Sequence, residues 1–185
     1  MHRFAWLSVL FWWVAWFYPF IFHAPHFQKR PSITVPGPTR VGLFLELAAI
    51  FLAFLLQNRP GDAPGIAQFV AAYLLGGLGV LLFWTSITHL GKQFRIHAGL
   101  YHDHELVRTG PYAIVRHPIY CSILCMLVCT MLLVTRLEWA AVPMALFIVG
   151  TEIRVHSEDK LLASRFGAQF ESYRKQVRAY IPFVR

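Results

Sequence analysis

Charged side chains are scarce in this sequence. Asp, Glu, Lys and Arg together make up 14% of the 185 residues, whereas hydrophobic residues make up 57%. A soluble domain normally carries about 25% charged residues. The shortage of charge therefore excludes an ordinary water-soluble domain and favours a chain that lies largely within a bilayer.

Cysteine is also rare, with three residues in the whole chain. Cys121, Cys125 and Cys129 recur every fourth residue within one predicted helix. Side chains at this spacing lie on the same helix face, where they do not readily reach the geometry of a disulfide. We therefore exclude a disulfide scaffold and interpret the three as packing residues of a membrane helix, with catalysis by Cys121 or metal binding as alternatives.

Long apolar runs take the place of charge. A helix of about 20 residues crosses the hydrocarbon core of a bilayer, and five runs approach or reach that length. They are Phe4–Phe22, Val41–Gln57, Ala67–Leu90, Ile119–Val134 and Trp139–Ile153. The last two are short and predict a tight hairpin. The first is longer than the core of a signal peptide and precedes no small-residue cleavage site, so we expect it to remain as a span of the mature protein.

The fold class predicted from these runs is an all-α integral membrane protein with about five transmembrane helices. The sequence shows no internal repeat and no low-complexity linker, so we treat residues 1–185 as a single membrane domain. Three N-terminal spans occupy 1–90, and a cofactor-binding catalytic half occupies 91–185. The polar loop 91–118 between them is longer than a plain connection needs, and such loops are usually functional or disordered.

The segment after the last run predicts an amphipathic C-terminal helix. Its apolar residues recur at helical spacing, and basic residues lie opposite them. The apolar positions are Phe166, Phe170, Tyr173, Val177 and Tyr180. Such a helix lies on the membrane surface near anionic lipid or folds back over the polar loop, and the sequence favours neither arrangement.

The net charge of +8 is distributed unevenly. With five spans, one side of the membrane carries Arg3, Arg59 and Arg136, and every other lysine and arginine falls on the opposite side. The positive-inside rule places that opposite side, with the polar loop and the C-terminus, in the cytoplasm, and the N-terminus outside. The basic charge thus predicts the topology, and we expect no nucleic-acid partner. From the compact chain we expect a bacterial-type inner membrane as the location.

Two polar clusters emerge on the predicted cytoplasmic side. In the motif RHPIY, Pro118 pushes the preceding residue out of the helical region and suits the first position of the fourth helix. Arg116 and His117 then lie at a helix N-terminus, which favours anions. In the second cluster, Arg154 and Glu158 are four residues apart, which by itself fits an intrahelical ion pair. Inward-facing charges at membrane depth indicate function.

The order of these motifs is more specific than any one of them. HELVRTGPYAIVRHPIY, a helical hairpin, and then RVHSEDKLLASRFGAQFESY closely resemble the isoprenylcysteine carboxyl methyltransferase family of membrane enzymes, which has phospholipid methyltransferase relatives. The match covers about the last ninety residues. The resemblance implies a helical membrane fold, S-adenosylmethionine as methyl donor, and a donor pocket enclosed by the last spans and the C-terminal segment.

The resemblance also implies roles for particular residues. Arg154 is expected to face the methyl acceptor and to hold a carboxylate through both arms of its guanidinium. The implied cofactor-binding residues are His104, Glu105, Leu106, Val107, Tyr112, His117, Pro118, Ile119, Tyr120 and Glu158. There are departures from the family pattern. His97 stands where the family can use glutamine, Asp159 replaces the second of two glutamates, and Cys121 and Ser122 represent a small residue.

Several alternatives stay open at this stage. The favoured acceptor is a lipophilic carboxylate such as isoprenylcysteine, but a phospholipid amine or a thiol would use the same donor, with His117 or His104 as a base. A membrane reductase of the sterol-reductase type that uses NADPH, and a scaffold without activity, are further candidates. Histidines at 97, 102, 104 and 117 suggest a metal centre, but their spacing is unlike known histidine boxes, so no metal site is predicted. Oligomeric state is left open.

Overall fold

A computed structural model describes residues 2–22, 33–34, 36–59, 62–94, 99–100 and 105–180. Within this part of the chain the fold is helical. The helices are α1 (His2–Phe22), α2 (Pro36–Leu55), α3 (Ile66–Leu90), α4 (Pro118–Val134), α5 (Ala141–Phe166) and α6 (Ala168–Gln176). Two short strands, β1 (Ile33–Thr34) and β2 (Gly99–Leu100), pair in antiparallel fashion with Ile33 opposite Leu100.

A helix lies at each of the five predicted apolar runs. Three of them, Arg3–Phe22, Gly37–Leu55 and Ile66–Leu90, are long and apolar enough to cross a membrane. Helix α4 is apolar but has 17 residues, and α5 continues past the predicted boundary at Ile153 as a polar helix that ends at Phe166. The helical class and three membrane-spanning candidates are therefore confirmed, and the full count of five crossings stays a prediction.

The helices pack as two close pairs, α2 with α5 and α3 with α4, and α1 lies against α3 and α4. Helix α4 is central because it also contacts α2. Its neighbouring residues Met126 and Leu127 are fully buried in two different apolar clusters. The outer faces of α1, α2 and α3 expose large apolar side chains such as Phe11, Phe44 and Leu74, which suits contact with lipid.

Glycines allow two of these helix contacts. A Cβ atom at Gly76 would lie 2.5 Å from the ring of Trp12, whereas one at Gly77 would lie at an ordinary 3.7 Å from it. Between α2 and α5, a Cβ at Gly42 would lie 2.6 Å from the Gly150 carbonyl oxygen. Small residues permit such approaches between membrane helices. The α2–α5 contact brings one side chain of each helix together in the site described below.

The C-terminal helix is shorter than its apolar periodicity predicts. Gly167, in the left-handed region at φ +50°, separates α5 from α6, and the chain becomes extended at Val177. Phe170 and Tyr173 do share a buried face. The prediction that Val177 and Tyr180 continue that face is wrong, because this extended segment pairs instead with the backbone before α4, where the amide of His117 donates to the Ala179 carbonyl at 2.7 Å.

Candidate active site

The RHP motif begins α4 in the predicted manner. His117 precedes the helix with φ −125° and ψ 61°, and Pro118 is its first residue. The amides of Arg116 and His117 donate to the extended C-terminal segment at 2.7 Å each. The motif is thereby held between α4 and the end of the chain, with both side chains turned toward α5.

Two acidic residues of α5 meet these side chains. Asp159 accepts hydrogen bonds from the Arg116 guanidinium at 2.7 Å and from His117 Nε2 at 2.9 Å. The other imidazole nitrogen, Nδ1, lies 3.3 Å from a Glu158 oxygen, and Tyr120 donates its hydroxyl proton to the same carboxylate. Arg116 and His117 therefore do form an anion site, but the anions beside them are side chains of the protein itself.

The electrostatics of this cluster favour a charged imidazole between charged carboxylates. Burial alone would lower the pKa of His117, but hydrogen bonds to Asp159 and Glu158, and their charges, raise it to about 9. Burial alone would raise the pKa of both carboxyl groups, yet the hydrogen bond and charge of His117 hold the pKa of Glu158 and of Asp159 below their usual values. The imidazolium and the two carboxylates thus stabilise one another.

A second charged group lies deeper, between α2 and α5. Arg154 donates from Nη1 to Glu46 at 2.9 Å, and the Thr151 hydroxyl lies 3.1 Å from the other Glu46 oxygen. The guanidinium also lies over the Tyr120 ring, 5.0 Å from its centroid. Its Nη2 is 4.0 Å from Glu158, so the intrahelical pair suggested by the spacing is longer than the ion pair with Glu46.

Glu46 is the site residue that sequence reasoning missed. A signal for it was present, because Glu46 is the one charged residue in the predicted span Val41–Gln57. An ionisable side chain within a membrane helix points to a function and to a partner. What the sequence did not reveal was that the partner is Arg154, which is more than a hundred residues away along the chain.

A cavity of about 640 Å³ is lined by residues of both groups. We call its two regions the polar end and the apolar end. The polar end is lined by Glu105, Leu106, Val107, Tyr112, Arg116, His117, Tyr120, Arg154, Glu158 and Tyr173. The apolar end is lined by Trp13, Trp16, Phe17, Phe20, Leu43, Leu47, Ile50, Phe54 and Phe83. Glu46 also contributes to the lining and, with Arg154, marks the boundary between the two ends.

Most of the residues singled out from the sequence contact this cavity. Ile119 lies along its wall with the polar-end residues. Pro118 does not line the cavity; it is buried at the start of α4, where it shapes the helix N-terminus. His104 lies outside the described residues. The structure therefore brings the predicted residues together around one space, apart from these two.

Helix α6 folds over the loop rather than lying apart from it. The Tyr173 hydroxyl donates to the Tyr112 carbonyl at 2.5 Å, and Arg108 donates to the Gln169 carbonyl at 2.9 Å. Phe170 of the same helix is fully buried. Of the two arrangements left open by the sequence, the structure has the one in which the C-terminal helix covers the polar end.

The alternative roles for cysteine and histidine gain little from the geometry. The three cysteines are unpaired by disulfides; Cys129 packs in the apolar core of α1, α3 and α4, and the Cys121 thiol donates to the Tyr180 carbonyl at 2.7 Å. Among the described residues, no group of three or more His, Cys, Asp or Glu side chains is arranged to hold a metal ion. The histidines at 97 and 102 lie outside those residues.

Comparison with known proteins agrees with this geometry. The isoprenylcysteine carboxyl methyltransferase family matches residues 71–164, which is half of the chain. The chain belongs to this family. The region that matches runs from α3 into α5, so it contains the RHP motif, Arg154 and Glu158. Helices α1 and α2, and with them Glu46, lie outside it.

Individual relatives of this methyltransferase-family chain carry two kinds of name. It is 26% identical to the nickel-cobalt-cadmium resistance protein NccN of Alcaligenes xylosoxydans xylosoxydans, over 83% of this chain and 72% of that protein. It is 30% identical to a probable protein-S-isoprenylcysteine O-methyltransferase of Oryza sativa subsp. indica, over 65% of this chain and 60% of the relative. For the protein-S-isoprenylcysteine O-methyltransferase of Tribolium castaneum the identity is 34%, over 58% of this chain and 39% of the relative. The chain therefore spans less than two thirds of either methyltransferase.

Proposed function

We propose that this chain is a membrane-embedded methyltransferase that uses S-adenosylmethionine and methylates the carboxylate of a lipophilic acceptor of the isoprenylcysteine class. The observation that carries the proposal is one cavity whose lining combines the Glu158 carboxylate, the Arg154 guanidinium and a large set of apolar side chains. Family membership supports methyl transfer. The relatives named as isoprenylcysteine O-methyltransferases support the acceptor class.

The polar end fits a sulfonium methyl donor. S-adenosylmethionine carries positive charge and a flat purine, and the polar end offers the Glu158 carboxylate and the rings of Tyr112 and Tyr120. Aromatic faces attract cations and cover flat rings. Glu105, Leu106, Val107, His117 and Ile119 would complete the donor site, with His104 and Pro118 as further residues carried over from the family pattern. When bound, the donor supplies an activated methyl group that needs no acid catalyst.

The boundary of the cavity fits an anionic acceptor. Arg154 lies where the polar end gives way to the apolar end, so a carboxylate held near it would leave its lipophilic chain among Trp13, Phe54 and their neighbours. An acceptor carboxylate held near Arg154 would supply the lone pair for the new bond to the methyl carbon, and the electrons of the carbon–sulfur bond would remain on sulfur. No proton moves, so a carboxylate acceptor requires no general base. The protein contributes alignment, which supplies several kcal/mol of rate enhancement.

The protein is integral to the membrane, and we propose its orientation from charge. Helices α4 and α5 complete five crossings together with the three longer candidates, with the N-terminus outside and the polar loop and C-terminus in the cytoplasm of a bacterial-type cell. The distribution of lysine and arginine supports this orientation. In this arrangement the polar end faces the cytoplasm, the source of a water-soluble donor, and the apolar end lies within the bilayer, the source of a lipophilic acceptor.

Donor binding and methyl transfer by the purified protein in lipid nanodiscs test this function together. We expect calorimetry to detect S-adenosylmethionine binding, and Glu158→Gln to weaken it by about a hundredfold, because a buried charged contact costs 2–5 kcal/mol when one partner is lost. The matched control is Glu171→Gln, a partly exposed acid of α6 paired with Arg174, which should leave affinity unchanged. With N-acetyl-S-farnesylcysteine as acceptor, labelled methyl should appear in a base-labile ester.

Results that contradict the proposal would affect either the methyl donor or the acceptor class. Folded protein that binds no S-adenosylmethionine contradicts the methyltransferase proposal, and binding of NADPH in its place would support the reductase alternative. Donor binding with methyl transfer to a phospholipid amine, but not to the farnesylcysteine carboxylate, would keep the donor and overturn the acceptor class.

A further inference from the structure

Glu46 is a buried acid that forms hydrogen bonds with two side chains of α5. Its side chain is 3% exposed, and its two oxygens lie close to Arg154 Nη1 and the Thr151 hydroxyl, at 2.9 and 3.1 Å. The close contact between Gly42 and Gly150 allows α2 to approach α5 one turn before these side chains. This is a built arrangement rather than a chance surface pair, because a glycine on each helix and a hydroxyl on α5 all contribute to it.

The pair supplies Arg154 with an anion before any acceptor is present. An unpaired guanidinium would be very unfavourable at this depth, because burying an isolated charge costs several kcal/mol or more. Glu46 removes this cost in the acceptor-free protein. It also holds the guanidinium over the Tyr120 ring, at the boundary of the polar and apolar ends.

The proposed reaction changes the charge beside this arginine. A carboxylate acceptor enters with a negative charge and leaves as a neutral ester. If the acceptor were the principal counter-ion of Arg154, methylation would leave a buried cation without its counter-ion. The arginine would then bind the carboxylate substrate more tightly than the ester product. An interaction stronger in the ground state than in the transition state slows the chemical step.

We propose that Glu46 is a positioning residue that acts through Arg154 as its permanent counter-ion, so that the arginine orients an acceptor carboxylate without depending on that charge. The inference rests on the proposed carboxylate methylation. Glu46 contributes by holding the guanidinium in place and by keeping it paired when the acceptor loses its charge. Glu46 lies in α2, outside the region that matches the family.

The proposal predicts a change in preference between acid and ester. In Glu46→Gln the amide oxygen still accepts a hydrogen bond from Arg154, but the opposing charge is gone. We expect the affinity for N-acetyl-S-farnesylcysteine to rise about tenfold relative to that for its methyl ester, since the net value of close charge pairs reaches this size. In turnover, KM for the acid should fall and kcat should fall with it, the pattern of an acceptor that is held too tightly before reaction.

The first experiment measures binding of the acid and of its methyl ester to protein without methyl donor, in nanodiscs, for the wild type, Glu46→Gln and Glu46→Asp. Glu46→Asp keeps the charge and should restore a ratio near that of the wild type. The matched control is Glu138→Gln, an exposed acid paired with Arg136, which should leave the ratio unchanged. An unchanged acid-to-ester ratio in folded Glu46→Gln overturns the proposal.

Two further measurements separate a positioning role from a structural one. If Glu46 only stabilised the fold, its loss would lower the folded fraction and kcat without lowering KM, and would change the affinities for acid and ester equally.

Thr151→Val removes a hydrogen bond from Glu46 while keeping the ion pair, so it provides a milder variant if Glu46→Gln does not fold. We expect the acid-to-ester ratio to change in the same direction, by about two- to threefold. No shift in the ratio in Thr151→Val, with Glu46→Gln unfolded, would also overturn the proposal. Failure of the wild type to bind either ligand would instead count against the proposed function.

Discussion

The two ends of the cavity are built on different principles. At the polar end, residues close together in the chain supply the chemistry. Arg116, His117 and Tyr120 come from one short stretch, and Glu158 comes from another, next to Asp159, which holds Arg116 and His117. The apolar end is assembled from aromatic and aliphatic side chains of three helices, α1, α2 and α3. The polar end is therefore specified by motifs, whereas the apolar end is specified by packing.

This difference between the two ends parallels which part of the chain matches the family. The region that matches, residues 71–164, includes the principal charged residues of the polar end, and α1 and α2 lie outside it. A shared donor would place a common demand on the polar end, whereas acceptors differ in shape and would be accommodated by the remaining helices. The Glu46–Arg154 pair joins the two parts, because it links α2 to the helix that carries Glu158.

The largest effect we expect is from pH on the polar end. Folding raises the pKa of His117 from 6.5 to about 9, so its contribution to stability is fully present below pH 6.5 and is lost as the pH rises through about 9. The loss amounts to about 3 kcal/mol. Thermal unfolding in nanodiscs across this range should show falling stability, and His117→Gln should remove that dependence.

The two carboxylates of the same cluster give stability the opposite dependence on pH. The pKa of Glu158 and of Asp159 is lowered on folding, so their contribution is present above their usual values of 4.5 and 3.8 and is lost as the pH falls below them. Stability should therefore be greatest between about pH 5 and 7. If His117→Gln lost as much stability at alkaline pH as the wild type does, the assignment of this pH dependence to His117 would be contradicted.

An intermediate effect is expected where the two ends are joined. Gly42→Ala would place a methyl group 2.6 Å from the Gly150 carbonyl oxygen, and forcing these helices apart should cost about 1–3 kcal/mol in the free energy of unfolding. Gly77→Ala is the matched control, since its methyl group would lie 3.7 Å from Trp12. Equal destabilisation of both variants would show that the α2–α5 approach is not tight.

The smallest effect we expect separates the apolar end from the polar end. Ile50 of α2 lines the cavity, and Ile50→Trp should fill part of the acceptor space. We expect kcat/KM for N-acetyl-S-farnesylcysteine to fall about tenfold, equivalent to about 1.4 kcal/mol, with donor affinity unchanged. Leu55→Trp, on the exposed face of the same helix, is the control. A matching loss of donor affinity in Ile50→Trp would mean that the two ends do not act separately.

Much of the fold could be predicted from residue type and spacing. Apolar runs long enough for a bilayer became helices because a backbone in lipid must satisfy its own hydrogen bonds. Pro118 set the start of α4, since the preceding residue cannot be helical and proline suits the first turn. The C-terminal boundary was missed, because the apolar periodicity continues through Val177 although the chain there pairs with the backbone before α4.

The sequence by itself determined the helical class, the apolar surface and the short motifs whose members are neighbours in the chain, because these depend on local backbone preferences and on hydrophobicity. Only the tertiary structure decided which charges meet. Asp159 faces Arg116 and His117, and Glu46 faces Arg154 across a contact between two glycines. Pairing between distant charges depends on helix packing and on the cost of burying a charge alone, and neither can be read from the order of residues.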